Sequence, residues 1–300
     1  MSEAKIRPRI RVKHKKRMTV EQRLTRLRQE QREAPPFRRI EGDWRSGVLV
    51  LCDHAANLIP PAYGTLGLTP EDLARHIAYD IGAAPVAEYL AWALRAPALL
   101  TRYSRLLIDP NRGRDDPTLV MQLSDGRIVP GNAAVDEAEI EARIARFYAP
   151  YHQAIAAAID LGVAAGKPPV LLAIHSFTQA WKSVPRPWHV AVLWDKDPRL
   201  ACALLRELAA IPGIIVGDNV PYSGQLKGDT LYQHGTLRGL AHALIEVRQD
   251  LILGPEGQKE WGELLAGVVR KVLSCADLAP RLHAIERYGS HTDGGCQGSG

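Results

Sequence analysis

The sequence predicts an α/β fold in which a mixed, largely parallel sheet is sandwiched by helices. Two aliphatic runs, 48–52 and 170–174, are short enough for strands and apolar enough to be buried on both faces. A third run, 243–247, has the same character. Segments of helical periodicity separate these runs, and this alternation is typical of parallel strands joined by helices that cover the sheet.

The remaining elements follow from local signals along the chain. Thr69 and Pro70 form a capped helix start, and Asp136 begins a long alanine-rich segment of helical periodicity. The predicted helices cover 69–78, 85–94, 136–161, 198–210 and 255–274. The predicted strands cover 48–52, 99–108, 170–174, 189–194, 214–216 and 243–247.

Length and composition allow one large or two small domains, and we predict a single catalytic α/β domain over residues 46–288. The chain has 300 residues and 46% hydrophobic content, which is ample for a sizeable core. It contains no apolar run of about 18 residues and no apolar segment after a short basic start, so we expect neither a membrane span nor a secretory signal. Four cysteines without a CxxC pair predict free thiols in a reducing cytoplasm.

Both ends of the chain differ from the domain. Residues 1–45 carry a formal charge of +9, whereas the rest of the chain carries −4. The run 5–17 predicts disorder, and Thr19 with Gln22 forms a capping box before a charged helical segment. A solvated extension or partner arm is favoured over a nucleic-acid contact, because no aromatic residues are interleaved with the basic ones. The Gly- and Ser-rich end, 289–300, is predicted to be disordered.

Two histidines lie where predicted strands end. His54 follows the first aliphatic run and His175 follows the run 170–174. Ligand sites collect at the carboxyl ends of parallel strands, and two imidazoles with one further ligand would suit a catalytic Zn²⁺. Candidates for the third ligand are Asn57, Asp53 and Asp80; Asp53 is alternatively placed to orient His54 from behind.

Glu246 lies among aliphatic residues of the predicted strand 243–247. Beside an activated water it would serve as general base and later protonate the leaving nitrogen. A buried ion pair with Arg248 or another arginine explains the same pattern.

A third group of residues suits an acidic substrate. Asn111 and Arg112 follow the predicted strand 99–108, and a guanidinium with an adjacent amide can bind a carboxylate. Arg105 is a further candidate, although it also fits a structural ion pair. Tyr222 and His234 lie in Gly-containing loops before the Glu246 strand, where loops can close over a ligand.

These motifs, in this order, resemble the N-formylglutamate amidohydrolase family over roughly residues 45–275. The resemblance is carried by six stretches: Cys-Asp-His-Ala-Ala-Asn (52–57), Tyr-Asp-Ile-Gly-Ala (79–83), Ser-Arg-Leu-Leu-Ile-Asp-Pro-Asn-Arg (104–112), Ile-His-Ser-Phe-Thr (174–178), Asn-Val-Pro-Tyr-Ser-Gly (219–224) and Ile-Glu-Val-Arg-Gln-Asp-Leu-Ile (245–252).

The resemblance implies a fold like that of zinc-dependent exopeptidases and phosphorylase/hydrolase-like enzymes. It implies His54 and His175 as Zn²⁺ ligands, Arg112 as the clamp on a substrate carboxylate and Glu246 as the base. Ser176, beside His175, is expected to contact substrate. Asn57 stands where the related carboxypeptidases have a ligand glutamate, which leaves the third ligand open among the candidates above.

The resulting hypothesis is a cytoplasmic zinc amidohydrolase acting on a small N-formyl or N-acyl amino acid such as N-formylglutamate. Two alternatives remain: a zinc carboxypeptidase or peptide amidase on the same scaffold, and a non-enzymatic protein whose basic tail binds nucleic acid. We expect a small carboxylate-bearing substrate and no membrane partner, and an oligomer is compatible with the sequence.

Overall fold

The computed structural model describes residues 35–293, and their organising feature is a seven-stranded sheet with the order β1-β3-β2-β6-β11-β9-β10. Two small hairpins, β4-β5 and β7-β8, lie outside it. The strands are β1 Phe37–Ile40, β2 Val48–Cys52, β3 Ala98–Thr101, β4 Leu123–Ser124, β5 Arg127–Ile128, β6 Val170–Phe177, β7 Ala180–Trp181, β8 Val184–Pro185, β9 Val190–Leu193, β10 Val216–Asp218 and β11 His242–Arg248.

Helices cover both faces of this sheet. They are α1 Pro70–Leu73, α2 Ala83–Leu94, α3 Glu137–Arg143, α4 Ala149–Ala164, α5 Pro198–Ala209, α6 Pro255–Leu273 and α7 Ala279–Leu282. A π-helical turn, Ile144–Tyr148, joins α3 to α4, and a second one covers Tyr232–Thr236. None of the helices between residues 35 and 293 has the length and apolarity needed to cross a bilayer.

The predicted fold class is confirmed: the sheet is mixed and largely parallel. β3, β2, β6 and β11 run parallel to one another, while β1 and β9 are antiparallel to their neighbours β3 and β11. Side chains of β2 alternate between the two faces, so that Val50 packs in the core under α2 and α6, and Leu51 packs against α4. Both faces of the central strands are therefore buried.

Several predicted boundaries differ from the structure. The helix predicted over 69–78 ends at Leu73, after the capping box between Thr69 and Asp72. The strand predicted over 99–108 ends at Thr101, because the chain then turns, with Leu107 N donating to Ser104 O at 2.9 Å. The segments that follow these two ends carry Asp80 and Asp109, and both side chains contact His54.

The predicted end segments also change. β1 lies inside the segment predicted as an N-terminal tail, yet it pairs with β3 in the sheet. The basic run 5–17 and the capping box at Thr19 lie outside the described residues. At the other end, residues predicted to be disordered from Gly289 onward include a contact segment: Tyr232 Oη donates to Asp293 Oδ1 at 2.7 Å, and Ser290 is buried.

The chain makes a tight turn at Gly82, just before α2 and beside the candidate site. Gly82 adopts φ +80° before α2, and a Cβ there would lie 2.3 Å from the carbonyl oxygen of Ile252. Only glycine satisfies both conditions without strain. The tight turn lets α2 start directly after Asp80, which therefore remains against the ends of β2 and β6.

Candidate metal centre and active site

His54 lies immediately beyond β2 and is buried. Its Nε2 donates to Asp109 Oδ1 at 2.7 Å, while its Nδ1 lies 3.3 Å from Asp80 Oδ2. A carboxylate on the far nitrogen fixes both the ring and its tautomer. Nδ1 is consequently the nitrogen directed toward the centre of the site.

His175 lies within β6 and meets the same carboxylate from another direction. Its Nε2 donates to Asp53 Oδ2 at 3.0 Å, and its Nδ1 lies 2.8 Å from Asp80 Oδ2. The two imidazole rings are perpendicular, with centroids 4.9 Å apart. The two histidines thus converge, as the sequence predicts, although β6 continues to Phe177 and His175 lies inside it.

Asp80 completes the cluster. Its backbone N donates to His54 O at 2.9 Å, and its second carboxylate oxygen, Oδ1, forms an ion pair with Arg105. One ligand atom from each of His54, Asp80 and His175 can be chosen so that all three lie within 4.8 Å of one another, and all three residues are buried. Two imidazole nitrogens and one carboxylate oxygen form the kind of donor set that catalytic zinc sites use.

The charged side chains of this cluster shift one another's pKa values. Burial alone would lower the pKa of His175, but hydrogen bonds to Asp53 and Asp80 raise it to about 10. Burial opposes ionisation of Asp80, yet Arg105 and the two histidines hold its pKa well below the ordinary value. The pKa of Asp53 is likewise lowered, because the contribution of His175 outweighs burial. The site therefore concentrates buried carboxylates together with the cationic side chains that keep them ionised.

Glu246 lies beside His175 in the parallel register of β11 and β6. Its Oε2 is buried and has no hydrogen-bond partner among the described residues. Burial raises the pKa of Glu246 to about 7, although His175 opposes the shift. No salt bridge links Glu246 to Arg248 in the described part of the chain, because Arg248 pairs with Asp250 instead. A buried carboxylate that exchanges a proton near neutral pH is a candidate general base.

Arg112 and Asn111 line the cavity above this cluster. Arg112 donates to the carbonyl of Asn111 at 2.8 Å and to Thr118 Oγ1 at 3.1 Å, and it makes no ion pair among residues 35–293. Asn111 Oδ1 accepts from Thr230 N at 3.1 Å. A positioned guanidinium without a carboxylate partner can take a carboxylate from a ligand.

Tyr222 and Ser176 also line the cavity, which has a volume of about 830 Å³. The loop that carries Tyr222 is closed by Asn219, whose Oδ1 accepts from Trp194 N and Gly224 N at 3.0 Å each. Ser176 Oγ donates to Ile81 O at 2.9 Å and so ties β6 to the turn after Asp80. Tyr222 is half-exposed and its ring is contacted by Arg186.

Three predicted residues have other roles. Asn57 is not directed at the cluster, because its amide donates to Leu73 O at 2.8 Å. His234 does not line the cavity; it is buried against His152, with 2.9 Å between Nε2 and the Nδ1 of that residue. Arg105 lines the cavity and pairs with Asp80, which is the structural ion pair that the sequence also allowed, and a substrate contact by Arg105 stays a prediction.

The prediction that Asp53 orients His54 was wrong, because the histidine that Asp53 contacts is His175. Asp53 holds His175, and its other oxygen accepts from Tyr151 Oη and Thr230 Oγ1, both at 2.9 Å. His54 is held by Asp109, which sequence reasoning missed. Asp109 directly precedes Pro110 and the Asn-Arg pair, so its place in a polar run at a strand end was the available signal. Tyr151 gave no signal, since its helix position is that of a core residue.

The sequence pattern of the N-formylglutamate amidohydrolase family matches residues 46–253. The chain belongs to this family. The match spans β2 to β11 and includes both histidines, Asp80 and Glu246. No curated protein sequence gives a significant match.

Two solved structures share the fold of this chain. Gene product Atu2144 from Agrobacterium tumefaciens has 34% sequence identity and a TM-score of 0.77, covering 82% of this chain and 98% of its own. N-formylglutamate amidohydrolase from Ralstonia eutropha JMP134 has 24% identity and a TM-score of 0.58, covering 83% of this chain and 99% of its own. At that identity the second likeness supports the fold alone. Family membership and architecture together indicate an enzyme that hydrolyses amides.

Proposed function

We propose that this protein is a zinc-dependent amidohydrolase that cleaves an N-formyl or N-acyl amino acid bearing a carboxylate, such as N-formylglutamate. The observation that supports it is the convergence of His54, Asp80 and His175 beside a buried glutamate without a hydrogen-bond partner. The family match supplies the reaction class, amide hydrolysis. The proposal adds the metal and the substrate.

The donor set fits zinc. His54 and His175 would bind through the Nδ1 atoms that face Asp80, since their Nε2 atoms are occupied by Asp109 and Asp53. Asp80 would bind through Oδ2, since Arg105 occupies its other oxygen. A zinc ion held there would polarise the amide carbonyl and lower the pKa of a water molecule toward about 7.

The protein groups divide the remaining work. Glu246 would accept the proton of the attacking water at its free Oε2 and transfer it to the leaving nitrogen. Arg112 would bind the carboxylate of the amino acid and hold the amide at attack distance. The products are formate, or another carboxylic acid, and the free amino acid.

The test measures metal content and hydrolysis in the same preparations. We expect about one zinc per chain in the purified protein. His175→Ala should lose both the zinc and the hydrolysis of N-formyl-L-glutamate. His283→Ala is the matched control, because His283 Nδ1 contacts Pro168 O near the opposite end of β6. A folded His175→Ala protein that keeps full activity would exclude His175 as a ligand, and a preference for peptides over N-formyl amino acids would favour a peptidase.

A further inference from the structure

The catalytic cavity continues beyond the metal cluster along the face of β11. Alternate residues of a strand share one face, so Leu244 and His242 follow Glu246 on the side that lines the cavity. From Glu246 to His242 this floor extends about 13 Å. We call the space over Leu244 and His242 the deep arm.

The walls of the deep arm are apolar. Leu193 is the register partner of Leu244 on β9, and Leu231 packs in the same cluster. All three leucines are buried yet line the cavity, so their side chains form the walls and floor rather than the outer surface. An apolar surface of this kind favours an apolar group over water.

The far end of the deep arm is polar, and none of the described residues that line it is a lysine or an arginine. Thr236 and His242 line it, and His242 Nδ1 lies 2.7 Å from Leu240 O and Nε2 lies 3.2 Å from Thr236 Oγ1. Burial lowers the pKa of His242, so its ring is neutral. The carboxylate of Asp195 also lines this end, where it contacts His291. A negatively charged group would therefore be disfavoured there.

N-formylglutamate does not fill such a cavity. A formyl carbon carries only hydrogen beyond its carbonyl, whereas a cavity of about 830 Å³ lies in the range that encloses drug-sized ligands, about 300–1,000 Å³. Among the described arginines that line the cavity, Arg75 and Arg105 pair with aspartates, which leaves Arg112 for the amino-acid carboxylate. The side-chain carboxylate of glutamate is disfavoured in the deep arm for the same reason as any anion, so the acyl group is the part of an N-acylglutamate that remains to enter it.

We infer that the preferred substrates are N-acyl amino acids whose acyl group is an uncharged aliphatic chain of several carbons, bound in the deep arm over Leu244. This inference rests on the proposed function and names its substrate class. Leu193, Leu231 and Leu244 are the residues that determine acyl-chain preference.

The test uses the zinc-loaded full chain and a series with one amino acid: N-formyl-, N-acetyl-, N-butanoyl- and N-hexanoyl-L-glutamate. We expect kcat/KM to rise about threefold for each methylene that enters the deep arm. The adipoyl derivative, which ends in a carboxylate, should be hydrolysed at least about tenfold less efficiently than the hexanoyl one.

Variants locate the effect. Leu244→Trp should lower the ratio of hexanoyl to formyl kcat/KM by about tenfold or more, because the larger side chain fills the deep arm. Leu231→Phe is a milder change at another residue of the same apolar lining and should lower the same ratio less. Leu237→Trp is the matched control, since Leu237 is exposed, and it should leave the ratio unchanged. The ratio cancels any loss of folded or zinc-loaded protein.

The possible failures are distinguishable. A kcat/KM that falls steadily from formyl to hexanoyl, or a ratio that Leu244→Trp does not change, would overturn the acyl-chain inference while leaving the amidohydrolase intact. Preferred hydrolysis of the adipoyl derivative would overturn the assignment of an uncharged chain. If zinc-loaded protein hydrolyses none of the N-acyl glutamates, the proposed function itself fails.

Discussion

At the scale of single residues, the centre depends on carboxylates that hold the far side of each histidine. Asp109 fixes His54, and Asp53 fixes His175 while it also accepts hydrogen bonds from Tyr151 and Thr230. Such partners would orient the two histidines before a metal binds, so that little reorganisation would accompany binding.

Glu246→Gln separates proton transfer from metal binding. The amide keeps the size of the side chain but cannot accept a proton from water, so we expect kcat for N-formylglutamate to fall by about 10²–10⁴ with zinc content unchanged. Steady-state kinetics and metal analysis of the same preparation check this. Asp250→Asn is the matched control, since Asp250 pairs with Arg248 outside the cluster. Unchanged kcat in Glu246→Gln would remove Glu246 from the mechanism.

At the scale of elements, adjacent strands bring the chemistry together. His54 follows β2, His175 lies in β6 and Glu246 lies in β11, and these three strands are neighbours running in one direction. A polar group at the end of each strand therefore meets the others at one edge. The loop 219–224 places Tyr222 in the cavity lining, and Asn219 holds that loop by accepting hydrogen bonds from Trp194 N and Gly224 N.

Asn219→Ala tests whether the closed loop matters for catalysis. Asn219 has φ +52° and accepts from two backbone N–H groups, so alanine leaves both without their acceptor in a backbone region that it disfavours. We expect a loss of about 2 kcal/mol in the free energy of unfolding and a lower melting temperature.

The same substitution should raise KM for N-formylglutamate more than it lowers kcat, because Tyr222 lies in the cavity while His54, Asp80 and His175 are held by other elements. Asn219→Asp is the matched control, since aspartate keeps the acceptor and tolerates the left-handed region. Equal kinetics for Asn219→Ala and the wild-type protein would show that the loop is structural only.

At the scale of the whole molecule, the basic segment and the candidate site lie in different parts of the chain. Residues 1–45 carry +9 and the rest −4, while the candidate site is built entirely from residues after 50. β1 pairs with β3, and Arg38 on β1 forms an ion pair with Glu88 on α2. The sheet therefore includes residues 37–40, which lie within the basic segment 1–45.

Truncation distinguishes the sheet from the basic segment. Removing residues 1–34 should leave kcat/KM for N-formylglutamate within about twofold of the full chain, because no residue of the site is lost. Removing residues 1–41 also deletes β1 and should lower the melting temperature. Loss of hydrolysis on removing 1–34 would show that the basic segment acts in catalysis, and salt-sensitive nucleic-acid binding lost with it would support the alternative role of that segment.

Sequence alone predicted the fold class, which the structure confirms, and most of the residues of the candidate site. Buried strands appear in the sequence as aliphatic runs. A polar residue within such a run or directly after it stands out, and this pattern pointed to His54, His175 and Glu246. The order of motifs predicted the family. These signals are local, so they survive without knowledge of the neighbouring strands.

Only the tertiary structure decided which partner each polar group takes. Asp80 rather than Asn57 meets the histidines, because α1 ends early and Gly82 turns the chain at that point. Asp53 reaches His175 across the β2–β6 pairing, and Asp109 arrives from the turn after β3. Contacts between residues distant in sequence depend on strand order and register, which periodicity does not encode; for the same reason, the deep arm over Leu244 became visible only in three dimensions.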